Sequence, residues 1–158
     1  MGATSVKFDR FMAIDFGEKR IGLAIGDSEN LIASPLDTIL NKNMETSCEK
    51  IYNLVKEWEI NYIVIGLPRI FAEQSINKQI KNFGNKLKKK FGGTDIIFFD
   101  EDYSSNYAKS ELLKQMQAGR KKKVNKEEID RIAAAIILQS YFENEIFKRA
   151  DTGTSSKN

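Results

Sequence analysis

The amino-acid sequence predicts an α/β domain built on a mixed five-stranded sheet, with its elements in the order βββαβαβαα. Two observations carry this reading. Three short apolar runs separated by turn chemistry stand near the beginning, and a unit of amphipathic helix followed by a short, nearly continuous apolar strand then occurs twice. Hairpins first and helix-linked strands afterwards give a sheet of mixed sense, flanked by helices.

The first three runs are FMAID, RIGLAIG and LIASPLDTIL, between Arg10 and Leu40, and the segments GEK and DSEN turn the chain between them. From Met44 to Glu59 the apolar residues Ile51, Leu54, Val55 and Trp58 recur at helical spacing, and YIVIG then reads as a buried strand. A basic amphipathic stretch from about Ala72 to Phe91 carries Ile76, Ile80, Phe83 and Leu87, and Gly92-Gly93 separates it from the strand DIIFFD. Two helices close the order, about Ser105 to Gln117 and Lys126 to Lys148. They are joined by AGRKKKVN, with Gly119 as a helix stop and Asn125 with Glu128 as an N-cap pair. The domain is expected to span 1–148, and the polar stretch 149–158, which lacks apolar periodicity, to be a loose tail.

Composition narrows the chemistry. The 158 residues suit one domain with one sizeable core, and no apolar run approaches the ~20 residues that a membrane span needs, so a cytoplasmic protein with no membrane partner is expected. MGATSV lacks the hydroxyl residue at position 6 of a myristoylation signal. The single cysteine, Cys48, reads as a small core residue. There is no histidine, which removes Ser-His-Asp and Cys-His nucleophile systems and His-ligated zinc. Hydrolytic chemistry would therefore rest on carboxylates, with metal.

Three carboxylates are placed for such work. Asp15 ends the first strand, where a rigid backbone can hold an oxygen ligand for a hard cation, although an acid there can equally begin a turn. Glu101 stands after the fifth strand in a run of three acids, whose mutual repulsion a cation would relieve; solvated acids at a strand end are the plainer alternative. Asp130 falls near the start of the last helix, at the rim of a buried face formed by Ile129, Ile132, Ala133, Ile136 and Ile137, where it could also simply complement the helix dipole. If the three converge, they would bind two divalent cations about 3.5–4 Å apart, suited to in-line phosphodiester displacement.

The segment AIDFGEKRIGLAIGD resembles the opening of the YqgF/RuvX family of Holliday-junction resolvases and ribosomal-RNA-processing nucleases, in which Asp-x-Gly-x-Lys-Arg-Ile-Gly spans the first hairpin. SPLDTI, IVIGLP, FFDE and IDRIAAAIILQSY match in the expected order, so the resemblance covers about residues 10 to 143. It implies a ribonuclease H-like fold, whose element order is the one read above. It also implies a nuclease dependent on Mg²⁺ or Mn²⁺, with Asp15, Glu101 and Asp130 as the acidic triad and Lys19 and Arg20 near the substrate phosphate. Arg20 could instead form a structural ion pair with one of the acids. Two features depart from the family pattern: Asp102 replaces an arginine, and RIFAEQ replaces an Asn- and Gly-containing loop after GLP. Asp27 and Asp100 are available as a fourth carboxylate.

Arg120, Lys121, Lys122, Lys123 and Lys126 form a basic loop just before Asp130, suited to substrate phosphates, and Lys78, Lys81, Lys86, Lys88, Lys89 and Lys90 make one helix strongly positive, although lysine-rich solvated faces are common. The expected partner is nucleic acid. The small-subunit ribosomal RNA precursor, processed at its 5′ end, is the leading substrate, and branched DNA is the alternative, for which a homodimer would cut two strands in concert. No interface can be read from the sequence, which leaves monomer and homodimer open. A non-catalytic ribosome-assembly factor is the third reading, which Asp102 favours. An actin- or Hsp70-like ATPase is a further rival, since Asp-x-Gly near a hairpin occurs there too, but it requires two such domains and one copy of this chain is expected to supply only one.

Overall fold

The computed structural model describes residues 8–68, 74–101, 114 and 125–147. Its elements are β1 (Arg10–Phe16), β2 (Arg20–Asp27), β3 (Ser34–Leu40), α1 (Met44–Glu57), β4 (Tyr62–Pro68), α2 (Gln74–Lys90), β5 (Asp95–Glu101) and α3 (Lys126–Tyr141). The strands form one sheet in the order β3-β2-β1-β4-β5. The first hairpins are antiparallel, while β4 runs parallel to β1 and β5 parallel to β4, so the sheet is mixed as expected. Of the helix expected over 105–117 only Lys114 is among the described residues, and it is helical. The tail 149–158 lies outside them.

Alternation along β1 divides its side chains between two cores. Met12, Ile14 and Phe16 join Ile51 and Val55 of α1 and Ile80, Phe83 and Leu87 of α2 on one face, and Cys48 is buried there. Leu54, Trp58 and Ile76 pack on the margin of this core. Phe11 and Ala13 point to the other face, where α3 supplies Ala134, Ile137, Leu138 and Tyr141. The helix caps are side-chain oxygens: Asn43 accepts from the Thr46 N–H and Asn125 from the Glu127 N–H, each at 2.8 Å.

α3 corrects the expected packing. Its buried residues are Ala133, Ala134, Ile137, Leu138 and Tyr141, whereas Ile129, Ile132 and Ile136 are half-buried. The helix is thus turned by about 100° from the face read off the sequence. It is apolar nearly all round, so periodicity could not choose a face. The sheet chooses, because β2 presents Gly22, Ala24 and Gly26, and the alanine side of the helix can approach this row of small residues most closely. Asp130 consequently lies in line with Ala134, Ile137 and Tyr141 along the buried stripe rather than at its rim.

The last turn also differs from an unbroken α-helix. Phe142–Phe147 form a π-helical turn, in which the wider spacing leaves both Tyr141 and Phe142 buried. The Phe142 ring packs edge-on to Phe11, 5.3 Å between centroids, and fills the space that a side chain at position 26 would need.

Candidate functional site

Asp15 continues the Phe11, Ala13 alternation and so belongs to the α3 face of the sheet, where it is half-buried. Its register partner in β2 is Gly22, and directly opposed residues of an antiparallel pair share a face. A Cβ added at Gly22 would stand only 2.0 Å from the carbonyl oxygen of Asp130. The backbone of α3 therefore rests on β2 at the one position across from Asp15. A residue without a side chain thus lets the backbone of Asp130 settle on the sheet face to which Asp15 belongs.

The start of α3 is fixed by two further contacts. Thr38 of β3, in register with Gly22, donates its hydroxyl to the Glu127 carbonyl at 2.5 Å. The Nε of Arg20 donates to Oδ2 of Asp130 at 2.6 Å, with the two side chains 29% and 22% exposed. Arg20 thus occupies the site by holding one of its acids. Lys19 is exposed in the β1–β2 turn beside it.

That turn is clamped from behind by Asn41. Its side-chain amide donates to the Gly17 carbonyl at 2.9 Å, its Oδ1 accepts from the hydroxyl of fully buried Ser47 at 2.7 Å, and its backbone N–H donates to the Lys19 carbonyl at 2.9 Å. Glu18 and Lys19 are therefore presented by a braced hairpin. Asn41 and Thr38 give no periodic signal in the sequence. Gly22 does give one, because a glycine inside a strand often marks close approach of another backbone.

Glu101 is the last residue of β5, in register with Pro68 at the end of β4. Because β1, β4 and β5 are parallel, its backbone lies at the same carboxyl end of the sheet as Asp15, two strand spacings or about 10 Å across. Among the described residues no three Asp, Glu or Cys side chains are gathered as a metal cluster. Asp15 and Asp130 nevertheless suit a hard divalent cation in donor type, and a strand and a helix hold them more rigidly than loops would. Arg120, Lys121, Lys122, Lys123 and Asp102 lie outside the described residues.

The two spare acids lie elsewhere. Asp27 is at the opposite end of the hairpin, paired in register with Arg10, and its Oδ1 caps a turn by accepting from the N–H groups of Glu29 and Asn30. Asp100 follows Ile96 and Phe98 in alternation on the α1–α2 face.

A mixed sheet in the order β3-β2-β1-β4-β5, with helices on both faces, defines the domain as ribonuclease H-like. Thermus thermophilus RuvC has this fold, with a TM-score of 0.58 at 14% identity over 92% of this chain and 97% of that one. The T. thermophilus RuvC structure in complex with Holliday junction substrate gives 0.56 at 14% identity, over 85% and 94%. The chain belongs to the RuvX family, described as Holliday junction resolvase, whose model matches residues 9–144. A relative from Nitrosospira multiformis named "Putative pre-16S rRNA nuclease" is 41% identical over 135 residues, 84% of this chain and 86% of its own length. One of the same name from Sulfurihydrogenibium sp. is 38% identical over 149 residues, 92% and 98% of the two chains. No described helix is long and apolar enough to cross a membrane.

Proposed function

We propose that this protein is a metal-dependent endonuclease that hydrolyses phosphodiester bonds in structured nucleic acid, and that its substrate is the 5′ end of the small-subunit ribosomal RNA precursor in the cytoplasm. The observation that supports the reading is the close approach of the Asp130 backbone to Gly22, the register partner of Asp15, at the sheet end where β5 delivers Glu101. Ligands of open α/β sheets bind outside the carboxyl ends of the strands. The names of the relatives supply the substrate.

In this reading Asp15, Glu101 and Asp130 hold the cations, two Mg²⁺ or Mn²⁺ ions. The metal supplies activation of the attacking water and neutralises charge on the leaving oxygen. Arg20 orients the Asp130 carboxylate through the 2.6 Å ion pair, and Lys19 meets a substrate phosphate from the braced hairpin. Arg120, Lys121, Lys122 and Lys123 bind phosphates flanking the cut.

The family description favours a second substrate, the four-way DNA junction. Purified protein offered labelled precursor RNA and a labelled junction, with Mn²⁺ or EDTA, separates the two. Metal-dependent cleavage of the RNA alone is expected. Cleavage of the junction alone would transfer the activity to branched DNA, and binding without cleavage of either would make the protein an assembly factor.

A further inference from the structure

α2 is rich in positive charge and carries no acid. Of 25 basic residues six stand in it, leaving 19 against 22 acids elsewhere, a net of −3. Two of the six are neutralised by α1: Lys86 lies 3.8 Å from Glu45 and Lys90 2.8 Å from Glu49. Lys78, Lys81, Lys88 and Lys89 form no ion pair among the described residues. All four are exposed, and between them the outward face of α2 carries only Asn82 and Asn85. Lys88 keeps its ammonium over the Phe98 ring of β5, 5.5 Å from the centroid.

The direction of α2 gives this stripe its meaning. The helix begins where β4 ends, with the Asn77 amide donating to the Pro68 carbonyl at 3.3 Å, so Lys78 and Lys81 are at the sheet end that carries Asp15 and Glu101. It then runs back along the opposite face, and Lys88 and Lys89 lie at the far end. From Lys78 to Lys89 the helix rises about 16 Å, a length over which duplex nucleic acid carries about nine phosphates.

We propose that the outward face of α2 is a second phosphate-binding surface, which holds a duplex arm of the substrate beyond the scissile bond. The inference rests on the nuclease reading and extends it to the layer of the domain opposite the carboxylates. A membrane-surface helix would need an apolar face beside the lysines, and here the exposed residues are only Lys and Asn. A protein partner would call for aromatic or aliphatic anchors, which the stripe also lacks.

The test is salt-dependent binding in EDTA, where no cleavage occurs, with a labelled RNA hairpin and a four-way DNA junction as probes. Wild type is compared with a Lys78→Gln, Lys81→Gln, Lys88→Gln, Lys89→Gln variant, and with Lys50→Gln, Lys56→Gln on α1 as a control for lost charge. Circular dichroism checks the fold of each. The α2 variant is expected to lose at least tenfold in affinity and to flatten the log–log salt slope by about two to three, the control less than half of that. An unchanged slope, or an equal effect per lysine in the control, would overturn the α2 surface alone. A wild-type protein that binds neither probe would overturn the nuclease reading and this surface with it.

Discussion

The Nε of Arg20 lies 2.6 Å from Oδ2 of Asp130, joining the first residue of β2 to the first turns of α3 across 110 residues of sequence. The pair is less than one-third exposed, so it is screened less than a surface bridge. It places a positive charge beside the Asp130 carboxylate. A double-mutant cycle with Arg20→Ala and Asp130→Asn is expected to give about 1 kcal/mol of coupling in EDTA and less in saturating Mn²⁺. Urea denaturation in the two conditions measures it, and equal coupling in both would separate the ion pair from metal binding.

Gly22 sets the distance between strand and helix. An alanine there would drive its Cβ to 2.0 Å from the Asp130 carbonyl oxygen, which is backbone and has no rotamer to yield. Gly22→Ala is expected to lower stability by about 2–3 kcal/mol and to depress cleavage even below the melting temperature. A variant of wild-type stability and activity would show that α3 does not need this close approach.

Asn41 is the brace of the hairpin that carries Lys19. Asn41→Ala removes the partners of the Gly17 carbonyl and of the buried Ser47 hydroxyl, and a loss of about 1–2 kcal/mol is expected. Because Asn41 acts through the turn, the rate under saturating substrate should fall more than the affinity. The reverse pattern would place Asn41 in substrate binding.

Cys48 is held neutral by burial, which raises its thiol pKa above the ordinary 9.0 and outweighs the opposing charges of Lys86 and Lys90. A raised folded-state pKa means that the native protein keeps the proton to higher pH than the unfolded chain does. The resulting stabilisation is full below the unfolded value and is lost as pH rises from there through the higher folded value. Native protein should therefore react slowly with a thiol reagent at pH 7, and stability should decline above pH 9 less steeply in Cys48→Ala than in wild type. Fast labelling of the native state would contradict the buried assignment.

Much of the frame was legible in the sequence because its signals are local. FMAID and RIGLAIG alternate or run apolar between turn residues, and Ile51 and Val55, or Ile80, Phe83 and Leu87, repeat at helical spacing. The face of α3 was not legible, since IAAAIILQSYF is apolar on every side and only the small residues Gly22, Ala24 and Gly26 of a distant strand select among the options. For the same reason Asp130 was expected at the rim of the helix face and stands in its buried line. Asp15 and Asp130 stand out in the sequence by their strand-end and helix-start positions, but the approach of the Asp130 backbone to Gly22, across from Asp15, is a tertiary fact. The brace by Asn41 is also tertiary, as a lone polar residue after a strand carries no periodic signature.

The measurement that bears most directly on the central claim is single-turnover cleavage of the substrate in Mn²⁺ by wild type and by Asp15→Asn, Glu101→Gln and Asp130→Asn, with binding measured in parallel. Each substitution removes one carboxylate charge and keeps nearly the same shape. The account predicts that every variant binds within a few fold of wild type and cleaves at least about a hundredfold more slowly. Cleavage by Asp15→Asn at the wild-type rate would contradict it, and would mean that Asp15, Glu101 and Asp130 are not the site of the chemistry.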